Sequence, residues 1–538
     1  MILAVRKTKL FRATVKTICD IYLWLTKAVM PNKSRNSNNE RSTTIMKKTT
    51  VMSLLMITAL AVSACGADTD TTSETTEITT EASDTSNTDK PDGQPPQDGQ
   101  GGPGAQGAQD GQGGPGGEMG QPPEGGQGGP GAPGGFGGSG EVTQGTAANT
   151  IDTDGTYTAE TYTSTGDDEN ALRVDGAEVT LTNITVDKAS GATSNTEDGD
   201  FYGMNAALLA TDGANVTITG ATVTSSAQNG NGVFSYGEGT VVNISDSTIT
   251  TTADNSGGIQ TTGGGTTNAT NLTVKTSGNS AAAIRSDRGG GIVVVNKGTY
   301  ESNGYNSPAV YSTADITVKN ATLTANNSEA LVIEGQNSIT LENCDVTGNM
   351  SDTQGSSSEE NVHNVMIYQS MSGDAEVGTS NFSMTGGTLT SKNGDMFYVT
   401  NTHCTLTLSG VKIVNQDSDG VLMRVVGNSA SHGWGNAGSN GAQVDATFDG
   451  QTVEGDIVVD TISTLNLSLT NGSSFTGTIN IIDNAEGGTA VDNNAVVTVE
   501  KGSTWTLTGN CTISSLDNQG TINYNGYTIT LADGTVLK

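Results

Sequence analysis

The densest group of ionisable residues in this chain is Arg285-Ser286-Asp287-Arg288. A guanidinium beside a carboxylate can move a proton at a sugar ring or hold an anionic substrate. Nothing of that kind lies near it in sequence, so the simpler reading is an ion-pair corner at the surface. Asp152-Thr153-Asp154-Gly155 and Asp417-Ser418-Asp419-Gly420 are Asp-x-Asp-Gly turns. Asp417 and Asp419 are candidate calcium ligands. Neither turn runs on into a full calcium loop ending in glutamate, and such sequences are commonly turns and nothing more. His363, His403 and His432 sit on separate segments. No residue set is assigned as catalytic. The loop at 425–443 carries His432 and Trp434 among glycines and asparagines. An exposed indole there can stack on a sugar ring; the alternative is a tryptophan folded back over an open part of the core. Phe397-Tyr398 reads as core plus its neighbour.

The elements that must position these residues are short and repeated. One pattern, an apolar pair followed five residues later by another apolar residue, recurs along the chain as VTLTNITV, VTITGATV, VNISDSTI, VVVNKGTY, ITVKNATL, ITLENCDV, FSMTGGTL and LTLSGVKI. TNATNLTV fits with alanine at the second position. That second position is Leu181, Ile218, Ile244, Ala269, Val295, Val318, Leu341, Met384 and Leu408, with steps of 37, 26, 25, 26, 23, 23, 43 and 24. Alternation of period two, then a Gly/Asn/Asp turn, then a second short alternating run means paired strands in a stacked repeat. The two long steps are ascribed to polar loops inserted at 188–203 and 349–362. A further run with small residues before its apolar ones recurs between markers, as in NAALLAT at 205–211 and SAAAIRS at 280–286. Small residues there permit a tight corner. Asn183, Asn320 and Asn343 share one turn position and suggest a partial asparagine ladder.

About 23–26 residues per repeat, period-two strands and Gly/Asn turns together resemble the right-handed parallel β-helix shared by pectate lyases, phage tailspikes and autotransporter passengers. The expected fold is therefore all-β, a right-handed parallel β-helix solenoid over 145–444 with a continuation and cap at 445–538, preceded by a disordered linker. The end, Ser503 to Leu531, resembles an autotransporter passenger stem, with Tyr524 and Tyr527 placed to cover the last repeat. The resemblance also frames the enzyme question. Polygalacturonase-type hydrolases carry paired aspartates, Gly-His-Gly and Arg-Ile-Lys; none is present, and the nearest match is the Ser431-His432-Gly433 run. Pectate-type lyases need an arginine base and a calcium-holding aspartate cluster, for which only the group at Arg285 offers material.

The front of the chain reads differently. Residues 46–64 have a basic start, an apolar stretch and a small-residue exit, as a secretory signal does. Val62-Ser63-Ala64-Cys65 resembles the lipobox of bacterial lipoproteins, which implies a lipidated Cys65 and a chain held at the bacterial cell surface by that anchor alone. Residues 1–45 read as a mis-called upstream extension. Residues 65–144, first Ser/Thr/acidic and then Gly/Pro/Gln-rich, cannot form a core and read as a linker. From Cys65 on, 13 basic against 55 acidic residues leave a net charge of −42, which excludes nucleic acid and an electrostatic grip on anionic lipid. Cys344, Cys404 and Cys511 show no disulfide or zinc spacing and read as buried apolar residues. The sequence thus leads to a surface-anchored binding or adhesion module contacting an extracellular glycan or surface protein. The alternatives are a cell-attached polysaccharide lyase or hydrolase, and a purely structural surface protein. No cofactor is expected, calcium at Asp417 and Asp419 aside.

Overall fold

The computed structural model describes residues 142–350, 361–428 and 435–538. The expected signal, Cys65 and nearly all of the linker lie outside the described residues, as do His432 and Trp434. Within them the chain is all-β, built from long parallel sheets. A 22-stranded sheet and a 16-stranded sheet face a common core, and a four-stranded sheet joins them near the C-terminal end.

The nine marker residues form one file. Val318 is typical: it pairs with Val295 on one side and Leu341 on the other. The same register joins Leu181 to Ile218, Ile218 to Ile244, and Leu408 onward to Phe448. All of these side chains are buried. Strands such as Asn215–Thr219 alternate exposed and buried at every step. That is the period-two pattern of a sheet with one wet face. Each aliphatic member of the file contributes roughly 1.5–3 kcal/mol through burial.

The turn after these strands explains the asparagines. Asn183, Asn320 and Asn343 have φ of 51°, 55° and 52°, and Gly220 and Gly386 stand at the same position with φ of 69° and 64°. Glycine adopts this region freely and asparagine or aspartate more readily than other residues, although Ala159 and Lys297 also hold it at this turn, at φ of 55° and 65°. Amide bonding along the turns is partial: Asn320 Nδ2 donates to Asn296 Oδ1 at 3.1 Å, and Asn271 Nδ2 to Asp246 Oδ1 at 2.7 Å. The small corner residues answer to close approach. A Cβ on Gly258 would lie 2.2 Å from Val274 Cγ1.

The 16-stranded sheet behaves otherwise. Leu208–Thr211, Ile259–Thr262 and Leu331–Glu334 are buried at every residue. Their second face is covered by chain inserted between repeats. One cover is the only helix among the described residues, α1 (Thr196–Tyr202). The 188–203 insertion is thus not the outward polar loop expected. Asn195 caps α1 by accepting from Glu197 N at 3.0 Å, and Gly203 closes it at φ 81°. Caps and docking account for so short a helix, which has little stability alone.

The three cysteines of the described chain are buried and free. At the C-terminal end, Phe475 and Trp505 pair in the four-stranded sheet and stack at 5.9 Å. Trp505 Nε1 donates to Gly477 O at 3.0 Å. Tyr524 packs against the core, whereas Tyr527, expected beside it, is 39% exposed.

Candidate functional site

Chemistry-bearing side chains collect on the face of the 16-stranded sheet that looks away from the core. In-register pairing places Gln260 beside Arg285, Arg285 beside Tyr311, Met366 beside Tyr398, and Tyr398 beside Arg424. Two different sites result.

The first surrounds Arg285, which is 1% exposed. Its Nη1 donates to Asp200 of α1 at 3.0 Å and its Nη2 to Asp287 at 2.9 Å. Asp200 also accepts from Asn229 Nδ2 at 2.8 Å. Its carbonyl accepts from Gln260 Nε2, and Phe201 O from Thr262 Oγ1, both at 2.6 Å. Arg288 lies over the Phe201 ring at 4.0 Å and reaches Asp374 Oδ1 at 2.6 Å. Next to this group Glu334 accepts from Tyr311 at 2.5 Å, from Tyr368 at 3.1 Å and from Ser370. Burial pushes the carboxyls of Asp200, Asp287 and Glu334 up, the Arg285 guanidinium partly offsetting this for the two aspartates. The Arg285 group is therefore not a surface ion-pair corner. It is a buried clamp that fixes α1 and the 369–378 segment to the sheet. The Arg285 charge is met there by two carboxylates, and Glu334 by three hydroxyl groups. A polymer cannot reach Arg285 or Asp287 for proton transfer.

The second site is open. A cleft of about 620 Å³ is lined by Asn361, Tyr398, Arg424, Val426 to Asn428, Asp460 and Ile482 to Glu486. Arg424 Nε donates to Asp395 Oδ2 at 2.6 Å, and Asn361 Nδ2 to the same oxygen at 2.8 Å. Asp460 Oδ2 accepts from Gly427 N at 2.8 Å and Asn484 Nδ2 at 2.6 Å. Tyr398 is braced by His363, whose ring stacks on it at 5.1 Å. His363 Nδ1 lies 2.8 Å from Asn361 O, and burial lowers its pKa, so the ring is neutral with Nδ1 as donor. The walls thus combine guanidinium and amide donors, carboxylate acceptors, and apolar surface at Tyr398 and Ile482. That mixture suits a ligand rich in hydroxyls.

The other sequence candidates are placed as follows. Asp417 belongs to its turn: Oδ1 accepts from Asp419 N at 3.0 Å and Oδ2 from Gly394 N at 2.8 Å. The Gly394 N–H, then that of Asp419, holds its carboxyl below the ordinary carboxylate range. Asp419 projects from the same turn, and no third carboxylate, histidine or cysteine joins the two among the described residues. His403 bonds Asp445 at 3.1 Å on the wet face of the 22-stranded sheet, away from the cleft residues. His363 and His403 stand on different sheets. Phe397 enters the core while Tyr398 lines the cleft. Sequence reasoning passed over Arg424, Asp460 and Asn484. No positional signal unites them: in register Arg424 stands opposite Val458, Asp460 opposite Ile482, and Asn484 lies beyond the end of its strand. No family model, curated protein or solved structure matches this chain.

Proposed function

We propose that this chain is a surface-displayed right-handed parallel β-helix that binds a neutral glycan in the cleft between Tyr398, Arg424 and Asp460. The cleft is the observation that carries this reading. It is open, its polar groups are held by fixed partners, and Asp460, Asp483 and Glu486 on its walls disfavour a polyanionic ligand. Support for the β-helix form comes from register: the repeats return two short strands to the larger sheet and one to the smaller, each parallel to its counterpart in the repeat before. The anchor belongs to the same proposal, with Cys65 lipidated and residues 65–144 acting as a tether. His432 and Trp434 follow Asn428 of the cleft wall by a few residues in sequence, so Trp434 is proposed to add a stacking surface. A glycan-cleaving alternative gains nothing from the Arg285 group, because that group is buried.

Binding of neutral oligosaccharides and of uronic-acid polymers to the chain, measured side by side by calorimetry, tests the proposal. Neutral sugars are expected to bind. Arg424→Gln should weaken them about tenfold, as loss of a charged hydrogen bond does, and should also lower the melting transition, because the buried Asp395 loses its counter-charge. Preference for the uronic polymer, or binding unaffected by Arg424→Gln, sinks the cleft as the site. Fatty-acid labelling that fails on the wild-type chain and not only on Cys65→Ala sinks the anchor.

A further inference from the structure

The back of the 16-stranded sheet changes character at one strand, and the cleft lies at the change. Tyr311, Val332, Met366 and Tyr398 follow one another in register down this back. All four are buried. The same file runs on through Arg424, Val458, Asn480 and Thr512. Arg424, Val458 and Asn480 are half-buried, and Thr512 is exposed. Two residues further along the same strands the change repeats. Tyr368 and Thr400 are buried, Val426 is half-buried, and Ile482 is 41% exposed. Asp460 stays buried beside Ile482, where Gly427 N and Asn484 Nδ2 close on it. The cover on the sheet therefore stops between Asp395–Thr400 and Met423–Val425.

The cleft is the step at which that cover ends. Tyr398 stands at its foot, held by the His363 ring at 5.1 Å. Arg424 stands one strand further on, with Nε on Asp395 and its Nη groups left for a ligand. Residues 483–486 rise along one side, where Asn484 N donates to Thr461 Oγ1 at 3.1 Å. Past Arg424 the floor continues over Val458, Asn480 and Thr512, none of them charged. Asn480 Oδ1 accepts from Thr512 N at 3.0 Å and from Thr512 Oγ1 at 3.2 Å, so its Nδ2 remains as a donor. From Arg424 to Thr512 the file crosses three strand spacings, about 14 Å. One spacing, ~4.8 Å, is close to the length of one sugar ring in an extended chain.

We propose that the cleft recognises the terminal residue of a neutral oligosaccharide, the rest of the chain lying across the strands over Val458, Asn480 and Thr512. This rests on the glycan reading of the cleft and adds which part of the glycan is read. A ring seated between Tyr398 and Arg424 has only buried side chains ahead of it, so the chain does not continue that way. It continues towards the C-terminal end of the stack, where the floor is open. An internal stretch of a polymer needs open floor on both sides of Arg424. The second ring then lies over Val458, the third over Asn480 and the fourth over Thr512. A polar floor without charge suits hydroxyl groups.

The probes are maltohexaose, isomaltohexaose and mannohexaose, each titrated calorimetrically into the full chain beside the soluble linear polymer of the same unit and linkage. One protein per carbohydrate chain is expected for hexaose and polymer alike, so that affinity per gram of sugar falls in proportion to chain length. Several proteins on each polymer chain, with affinity per gram undiminished, overturns end recognition and leaves the glycan cleft standing. Binding of none of these sugars sinks both. Asn480→Asp keeps the acceptor for Thr512 and removes the Nδ2 donor. It should weaken the hexaose about fivefold, as loss of one hydrogen bond does, and leave the matching disaccharide, which ends over Val458, unchanged. Equal weakening of both, or of neither, overturns the placement of the chain along this file.

Discussion

The two large sheets share a core and are each built by parallel pairing, and they differ in what lies on their backs. The back of the 22-stranded sheet is wet, and its strands alternate strictly, as in Asn215–Thr219 and Asp315–Lys319. The back of the 16-stranded sheet is partly covered by α1 and the 369–378 segment, and its covered strands are buried throughout. Outward therefore means two things in one molecule. On the first sheet it means threonine in water. On the second it means a second interior, in which Arg285, Asp287 and Glu334 are paired because water cannot solvate them.

Substitutions can break that contrast. The largest effect is expected at Val318, whose side chain is fully buried in the marker file. Val318→Asp should cost about 5 kcal/mol in a urea melt, since the carboxylate meets only aliphatic neighbours. Arg285→Met comes next, at about 3–4 kcal/mol, because Asp200 and Asp287 lose their counter-charge. Adding Asp200→Asn and Asp287→Asn should recover most of that loss; no recovery would mean the clamp acts through packing and not charge. Cleavage by protease in Arg285→Met should begin within 188–203, the segment the clamp holds.

Glu334 sharpens the comparison through pH. Burial raises its carboxyl above the ordinary range, so the folded chain holds a proton that the unfolded chain releases. Stability contributed by this group is then greatest at low pH and falls as pH rises from the ordinary carboxylate range through the raised value. Glu334→Gln should flatten that fall and raise the urea midpoint on the alkaline side alone. A parallel shift at all pH values would contradict the assignment. The smallest effect is expected on the wet back: Thr322→Asp should stay within about 0.5 kcal/mol. If Thr322→Asp matches Val318→Asp, the inward and outward registers have been exchanged.

The 22-stranded sheet was legible because its pattern is local. Leu181 to Leu408 can be picked out by spacing alone, and the left-handed turn announces itself in Asn183, Asn320 and Asn343. The covers were not legible. α1 has one large apolar anchor, Phe201, and holds by caps and by partners 60 and more residues away in sequence, such as Gln260 and Arg285. Arg285 looked like a surface corner because Asp200 lies 85 residues before it. Arg288 and its partner Asp374 are 86 residues apart. The cleft runs from Asn361 to Glu486 in sequence, with Tyr398, Arg424 and Asp460 each on a different strand of one sheet. No single stretch of it carries a motif. Asp417 illustrates the reverse, a motif whose carboxylate accepts from the backbone of Asp419 within its turn and of Gly394 in the repeat before.

The reach of α1 bears on how the stack fails. A ladder in which every strand touches only its neighbours opens like a zipper, one tooth at a time from a frayed end. α1 does not fit that scheme. Its bonds go to Asn229, Gln260, Thr262 and Arg285, which belong to three successive repeats. A crack travelling through the sheet cannot pass between those repeats without also tearing off the helix. The residues from α1 to Arg288 should therefore give way together or not at all, as a riveted plate does.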